Sequence, residues 1–168
     1  TGLADEEIFE GLATFPGVPG RLEYLGEIDG VKIYNDNNST TPTATIVGLR
    51  AISAGKNVVL IMGGEDKNLD MAGLIQEIPE HCAKVVLFKE RGTERIREEV
   101  FALKDQEVTV YEEEGLSATV ARAFEIAKSG EVILYSPAFS SFGSHFKNEY
   151  DRNDQFVALV QEKLREEA

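Results

Sequence analysis

Side chains able to hold a small anion are concentrated in three stretches of this 168-residue chain. Asn35–Thr45, NDNNSTTPTAT, is built from amides and hydroxyls around a single acid, Asp36. Gly63–Asn68, GGEDKN, sets the compact cation Lys67 behind two glycines, which let a ligand approach the backbone. Ser136–Asn153, SPAFSSFGSHFKNEYDRN, places serine hydroxyls beside Phe142, Phe146 and Lys147. Buried without partners such a loop would be costly, so it reads as facing a cleft. Each stretch also has a plainer reading, as a helix-capping loop, a glycine turn or a serine turn. Together they describe a surface for a carboxylate or phosphate, the kind that forms half of an active site, with no nucleophile–base pair.

Other chemistries find little support. His145 has no carboxylate or nucleophile beside it in sequence and reads as structural or solvent-exposed. His81 and the lone Cys82 fall short of zinc's ligand set, so no metal site is expected, and one cysteine makes no disulfide. Neither G-x-x-x-x-G-K-[ST] nor G-x-G-x-x-G occurs, so the chain lacks a triphosphate-cradling loop and a dinucleotide fingerprint. A net charge of −13 argues against nucleic acid and anionic membranes as partners. No apolar run reaches the roughly 20 residues of a membrane span. These features predict a cytoplasmic protein. The start at Thr1, directly in an acidic helical pattern, reads as a piece of something longer.

The elements that must position the three stretches follow from periodicity. A helix is predicted from an N-cap at Asp5 to about Thr14, with Ile8, Phe9 and Leu12 at helical spacing. FPGVPG (15–20) ends it as a linker. RLEYLGEIDGVKIYN then reads as a β-hairpin turning at Asp29-Gly30. Thr41 is the expected N-cap of a helix opening at Pro42, with Ile46, Val47, Leu49 and Ile52 as its apolar stripe and Gly55 as its end. VVLIM (58–62), VVLF (85–88) and VILY (132–135) are β-branched runs of the kind buried on both faces of a parallel sheet, with VTVY (108–111) a shorter strand. Helical patterns fall at about 70–78, 92–103, 115–129 and 151–166, the last carrying Phe156, Leu159, Val160 and Leu164 on one face. The acid run Glu112–Glu114 reads as a solvated turn. The succession predicts a Rossmann-like three-layer α/β domain with a mostly parallel sheet, helices on both faces and an N-terminal β-hairpin. All three stretches then lie at carboxyl ends of strands, where open α/β sheets bind their ligands.

In order and spacing, PGVPGRLEYLG…VKIYNDNNSTTPTATIVGL, LIMGGEDKNLDM and LYSPAFSSFGSHFKNEYDRNDQF resemble the C-terminal domain of the Mur ligases. Within that family the N-D-x-x-[AS]-T-x-P hairpin exit and the S-P-A-x-x-S-[FL] loop are similar to the branch that adds D-glutamate. The resemblance covers nearly the whole chain. It implies a three-domain ligase of which residues 21–168 are the last, amino-acid-binding domain, and 1–20 a helix and linker from the central one. It further implies that ATP activates the carboxylate of UDP-N-acetylmuramoyl-L-alanine as an acyl phosphate, which the amine of D-glutamate attacks. ATP and Mg²⁺ would be bound mainly by the central domain, leaving no catalytic residue in this chain and a monomer as the expected state.

Carried over position by position, the resemblance gives Arg21 to the nucleotide phosphates and Asp36 to the ribose region. It gives Thr40 and Lys67 to one carboxylate of D-glutamate, and Ser141 with Phe142 to its other end. Asn38 stands where some members have lysine. The loop through Phe146, Lys147 and Glu149 is longer than in some members by about one residue, so those three receive no role. A free-standing flavodoxin-like module that binds a small ligand is the alternative class.

Overall fold

The computed structural model describes every residue except Thr1, Leu3, Ser144 and Ala168. Its strands are β1 (Glu23–Ile28), β2 (Val31–Asn35), β3 (Val58–Met62), β4 (Cys82–Phe88), β5 (Thr109–Glu113) and β6 (Val132–Tyr135). Its helices are α1 (Asp5–Ala13), α2 (Pro42–Ile52), α3 (Ala72–His81), α4 (Arg91–Phe101), α5 (Leu116–Ile126) and α6 (Glu149–Glu166), with a 3₁₀ turn at Ala102–Gln106.

One sheet holds the strands in the order β1-β2-β6-β3-β4-β5, with every pair parallel except β1 on β2. The hairpin turns where expected, since Asp29 (φ 50°) and Gly30 (φ 78°) both take the left-handed backbone of a tight hairpin. β1 bulges at Gly26, whose φ of 150° suits glycine and whose missing Cβ leaves room for Leu164 of α6, which a Cβ would meet at 2.8 Å. β3 is buried at all five positions, as a strand covered on both faces must be. On one side Leu49, Leu74, Ile78, Ile96 and Val100, from α2, α3 and α4, pack against it. On the other, Val120 and Ala123 of α5 pack with Phe156 and Val160 of α6. Right-handed crossovers explain the division. The steps β2→β3→β4→β5 run one way across the sheet, and α5 returns over the opposite face to β6.

The predicted architecture is therefore the one observed, with local corrections. Ala4 occupies the cap of α1, its N–H bonded to Glu7 Oε2 at 2.8 Å, and Asp5 is the first helical residue. α2 ends at Ser53, which is already extended, before Gly55 is reached, and Val47 faces out at 60% exposure. Pro79 lies inside α3, which continues to His81, and β4 opens three residues before the VVLF run. The acid run is mostly strand: Glu112 and Glu113 lie in β5, where Arg97 (3.0 Å) and Arg122 (2.7 Å) neutralise them. α5 stops at Ile126 and α6 begins at Glu149.

α2 and α3 are clasped by Arg50, whose Nε and Nη2 donate to Glu77 at 2.6 and 3.0 Å, while His81 lies 3.1 Å from Glu77 and 2.6 Å from Ser53 Oγ. Hydrogen bonds from Arg50 first, then His81, lower the Glu77 carboxyl from 4.5 to about 2. A carboxyl depressed in the folded state adds stability above its unfolded value and loses it as pH falls through the folded one. Glu77→Gln should therefore flatten the fall in thermal midpoint between about pH 4.5 and 2. Coincident acid limbs for the two proteins would show that the clasp contributes nothing.

Candidate functional site

β6 lies between β2 and β3, but the segment after it leads to α6 on one face while theirs lead to α2 and α3 on the other. The three chain segments part at this point, and the three predicted stretches meet there. A buried cation joins them. Arg152, fully buried on α6, donates from Nε to Asn37 Oδ1 (2.8 Å), from Nη2 to Asn37 O (3.0 Å) and from Nη1 to Phe139 O (3.1 Å). Asn37 in turn donates to Glu149 O at 3.1 Å. Sequence reasoning missed Arg152, although it stands four residues before Phe156 and eight before Val160, on the buried face of α6.

The segments after β3 and β6 are laced by Glu65 N–H to Ser140 O (2.8 Å) and Ser140 N–H to Glu65 O (3.1 Å). A Cβ on Gly64 would collide with Ser140 O, so this glycine serves the approach of the two loops to each other. Beyond it, Arg95 grips Asp66 with two bonds (2.6 and 3.0 Å) and Leu69 O with another (2.9 Å). The Arg95 guanidinium holds the Asp66 carboxyl below its ordinary value. Asn68, at φ 54°, donates its N–H to Asp66 Oδ1 at 2.9 Å. This clamp presents Lys67 outward, with Nζ 3.2 Å from Thr40 Oγ1. Thr40 itself precedes α2, where Thr41 caps the helix as predicted by accepting from Ala44 N–H at 3.3 Å.

Asp36 is 4% exposed. Its Oδ1 accepts from Leu22 N–H (3.2 Å) and its Oδ2 from Ser136 Oγ (2.8 Å). Burial pushes this carboxyl up, against the bonds from Ser39, Ser136 and Leu22 that favour its charged form. Holding Leu22, it fixes the exposed Arg21 one residue away. Asn38 ties the linker to the sheet: its side chain donates to Pro19 O (3.0 Å) and its N–H to Gly20 O (2.9 Å). An amide at this position thus has a structural reason. Ser141 is 2% exposed and its neighbour Phe142 72%, with Phe142 N–H bonded to Ser140 Oγ at 3.2 Å.

His145 does have a carboxylate beside it, supplied by the end of β4: Glu90 Oε1 lies 3.4 Å from Nε2. Burial pushes the Glu90 carboxyl up. Phe146 is buried, Lys147 N–H bonds Asp151 Oδ2 at 2.9 Å, and Glu149 opens α6.

A loop-borne lysine and threonine meet at a parting of strands, with a buried arginine behind them, a pairing whose chemistry suits an anion. Sequence comparison matches residues 20–139 to the glutamate ligase domain of the Mur ligases. This chain belongs to the Mur ligase family. The UDP-N-acetylmuramoylalanine–D-glutamate ligase of Gloeobacter violaceus is 39% identical over 162 residues, covering 95% of this chain and 35% of that protein. The ligase of the same name from Clostridium perfringens is 42% identical over 153 residues, 88% of this chain and 32% of that protein. The chain thus spans about a third of the length of these Mur ligases. A UDP-N-acetylmuramate–alanine ligase of Thermotoga maritima shares the fold, with a TM-score of 0.65 at 18% identity over 96% of this chain and 34% of that one.

Proposed function

We propose that this chain is the amino-acid-binding domain of an ATP-dependent ligase that joins D-glutamate to UDP-N-acetylmuramoyl-L-alanine during peptidoglycan precursor synthesis. The observation that carries the reading is the state of Lys67. The three cations that enter and open α4 are matched within the domain, Lys89 by Glu114, Arg91 by Glu65 and Arg95 by Asp66. Among the described residues Lys67 has no carboxylate partner, and its ammonium hydrogen-bonds to the Thr40 hydroxyl. In a chain of net charge −13 that leaves a fixed cation and a neutral donor for a ligand carboxylate.

Lys67 and Thr40 hold one carboxylate of D-glutamate in this reading, and the Ser141–Phe142 turn holds the other end. Arg21 reaches toward nucleotide phosphates, and Asp36 acts on the nucleotide side through Leu22 and Arg21. Activation of the sugar–peptide carboxylate by ATP gives an acyl phosphate, and the amine of D-glutamate displaces phosphate from it. Closure excludes water and strengthens each contact to the anionic substrate. ATP and Mg²⁺ are held mainly outside this chain. Among the described residues the one group of three metal-ligating side chains, Glu77, Glu80 and His81, ends α3 at the opposite edge of the sheet. α1 and the linker (1–20) belong with a preceding central domain, a reading supported by the exposure of Phe9 (73%) and Leu12 (67%) and by the family match starting at Gly20. The enzyme is read as a cytoplasmic monomer, and among the described residues no helix is long and apolar enough to cross a membrane. Family membership leaves the flavodoxin-like alternative without support.

The test is phosphate release by the full-length gene product with ATP, UDP-N-acetylmuramoyl-L-alanine and a panel of amino acids. D-glutamate should be the preferred acceptor, and the 168-residue chain alone should release nothing above blank. Preference for another amino acid, or turnover by the chain alone, would overturn the reading.

A further inference from the structure

The loops part a second time along the same sheet edge. α4 leaves β4 for one face and α5 leaves β5 for the other. Divergence of this kind opens a crevice at the carboxyl ends of the strands. Here it is a cavity of about 590 Å³ whose lining includes Glu90, Gly115, Gly143 and His145. Glu90 is 8% exposed, and its Oε1 has no hydrogen-bond partner among the described residues. His145 Nε2, at 3.4 Å, is too distant for a well-formed bond, and its ring sits edge-on to Phe88 at 5.2 Å between centroids. A Cβ on Gly143 would stand 2.7 Å from Glu90 Oε2, so the glycine keeps the space before the carboxylate clear.

The charge around this cavity selects a cation. Its two permanent cations are already engaged, Lys89 by Glu114 at 2.8 Å and Arg91 by Glu65 at 3.1 Å, and Glu94 adds a further negative charge. A desolvated carboxylate short of donors is stabilised by a positive group that can hydrogen-bond to it. A metal ion fits poorly, because among the described residues no third ligand atom joins Glu90 and His145 within coordinating reach. Past Gly115 and His145 lies a second, mainly apolar cavity of about 460 Å³, whose lining includes Leu116, Phe146 and Leu159.

We propose that the two cavities form one binding site for a small organic monocation, an amine or amidine with an aromatic-sized apolar body. The charged head lies against Glu90 and the body against Leu116, Phe146 and Leu159. Phe142 also lines the first cavity, so the site adjoins the turn assigned above to D-glutamate, but neither Lys67 nor Thr40 lines it and the proposal does not depend on the reading of that pair.

Benzamidine is the probe, with benzyl alcohol as its neutral counterpart and benzoate as its anionic one. In ¹H–¹⁵N NMR titrations of the chain, benzamidine should shift the Glu90, Gly115 and Gly143 amides saturably. Benzyl alcohol should bind about tenfold more weakly or worse, as expected when a charge-assisted bond is lost. Glu90→Gln should reduce benzamidine to the level of benzyl alcohol, and Lys67→Ala should leave its binding unchanged. Because Glu90 also caps α4, Gly143→Ala is a second variant that fills the mouth while keeping the Glu90 residue itself. It too should weaken benzamidine. Benzoate binding as well as benzamidine, benzamidine insensitivity to both site variants, or loss of binding in Lys67→Ala would each overturn the proposal.

Discussion

Replacing Arg152 with methionine should lower the unfolding free energy by about 3–5 kcal/mol, a large part of the roughly 5–15 kcal/mol typical of a domain. Methionine fills much of the volume, but three acceptors, Asn37 Oδ1, Asn37 O and Phe139 O, lose their donors in a site that is fully buried. Each buried group left unsatisfied costs about 1–3 kcal/mol. Arg152→Lys keeps the charge but has no planar fork to reach three acceptors at once, so it should recover less than half of the loss, about 2 kcal/mol at most. Urea denaturation measures both, with the midpoint falling and the slope unchanged. A methionine variant within about 1 kcal/mol of the parent would show that the network does not hold the loops together.

In the full-length ligase, Lys67→Ala should raise the apparent KM for D-glutamate about 10- to 100-fold, the cost of one charge-assisted bond in a closed site. kcat should change less, because in the proposed role Lys67 holds a carboxylate that does not react. Lys67→Arg should recover little, since a broad fork does not replace a compact ammonium held 3.2 Å from Thr40. Initial rates with D-glutamate varied and the other substrates saturating decide the matter. An unchanged KM would remove Lys67 from the site, and with it the observation on which the functional reading rests.

The sequence showed the sheet more clearly than the site. β3 and β6 were legible to the residue because short β-branched runs are bounded by polar stretches on both sides. Boundaries failed where a local signal met tertiary demand. The helix expected at about 70–78 runs on through Pro79 to His81, and the acids of β5 looked solvated because Arg97 and Arg122, their partners, come from other elements. Lys67 could be singled out by type and position and Thr40 by the family resemblance, and the fold brings them into contact. Arg152 with Asn37, and His145 with Glu90, could not be paired from the chain, since they lie 115 and 55 residues apart and only β-sheet order makes them neighbours. Asn38 looked like a gap in a cationic site because its true partners, Pro19 and Gly20, belong to a segment that read as linker.

That segment carries a mechanical consequence. Val18 O accepts from Arg21 N–H at 3.0 Å, Pro19 O and Gly20 O are both bonded to Asn38, and Leu22 N–H is bonded to Asp36. Pro19, Gly20 and Leu22 are therefore tied to the segment that follows β2, and Arg21 between them must travel with it. In the ligase proposed above, a swing of this domain relative to α1 would pivot upstream of Val18, in Phe15–Gly17, where every residue is exposed and Gly17 takes a φ of 82°. The arc traced by Lys67 and Arg21 is then set by a hinge of three residues, and stiffening Gly17 should restrict the stroke and leave the grip unchanged.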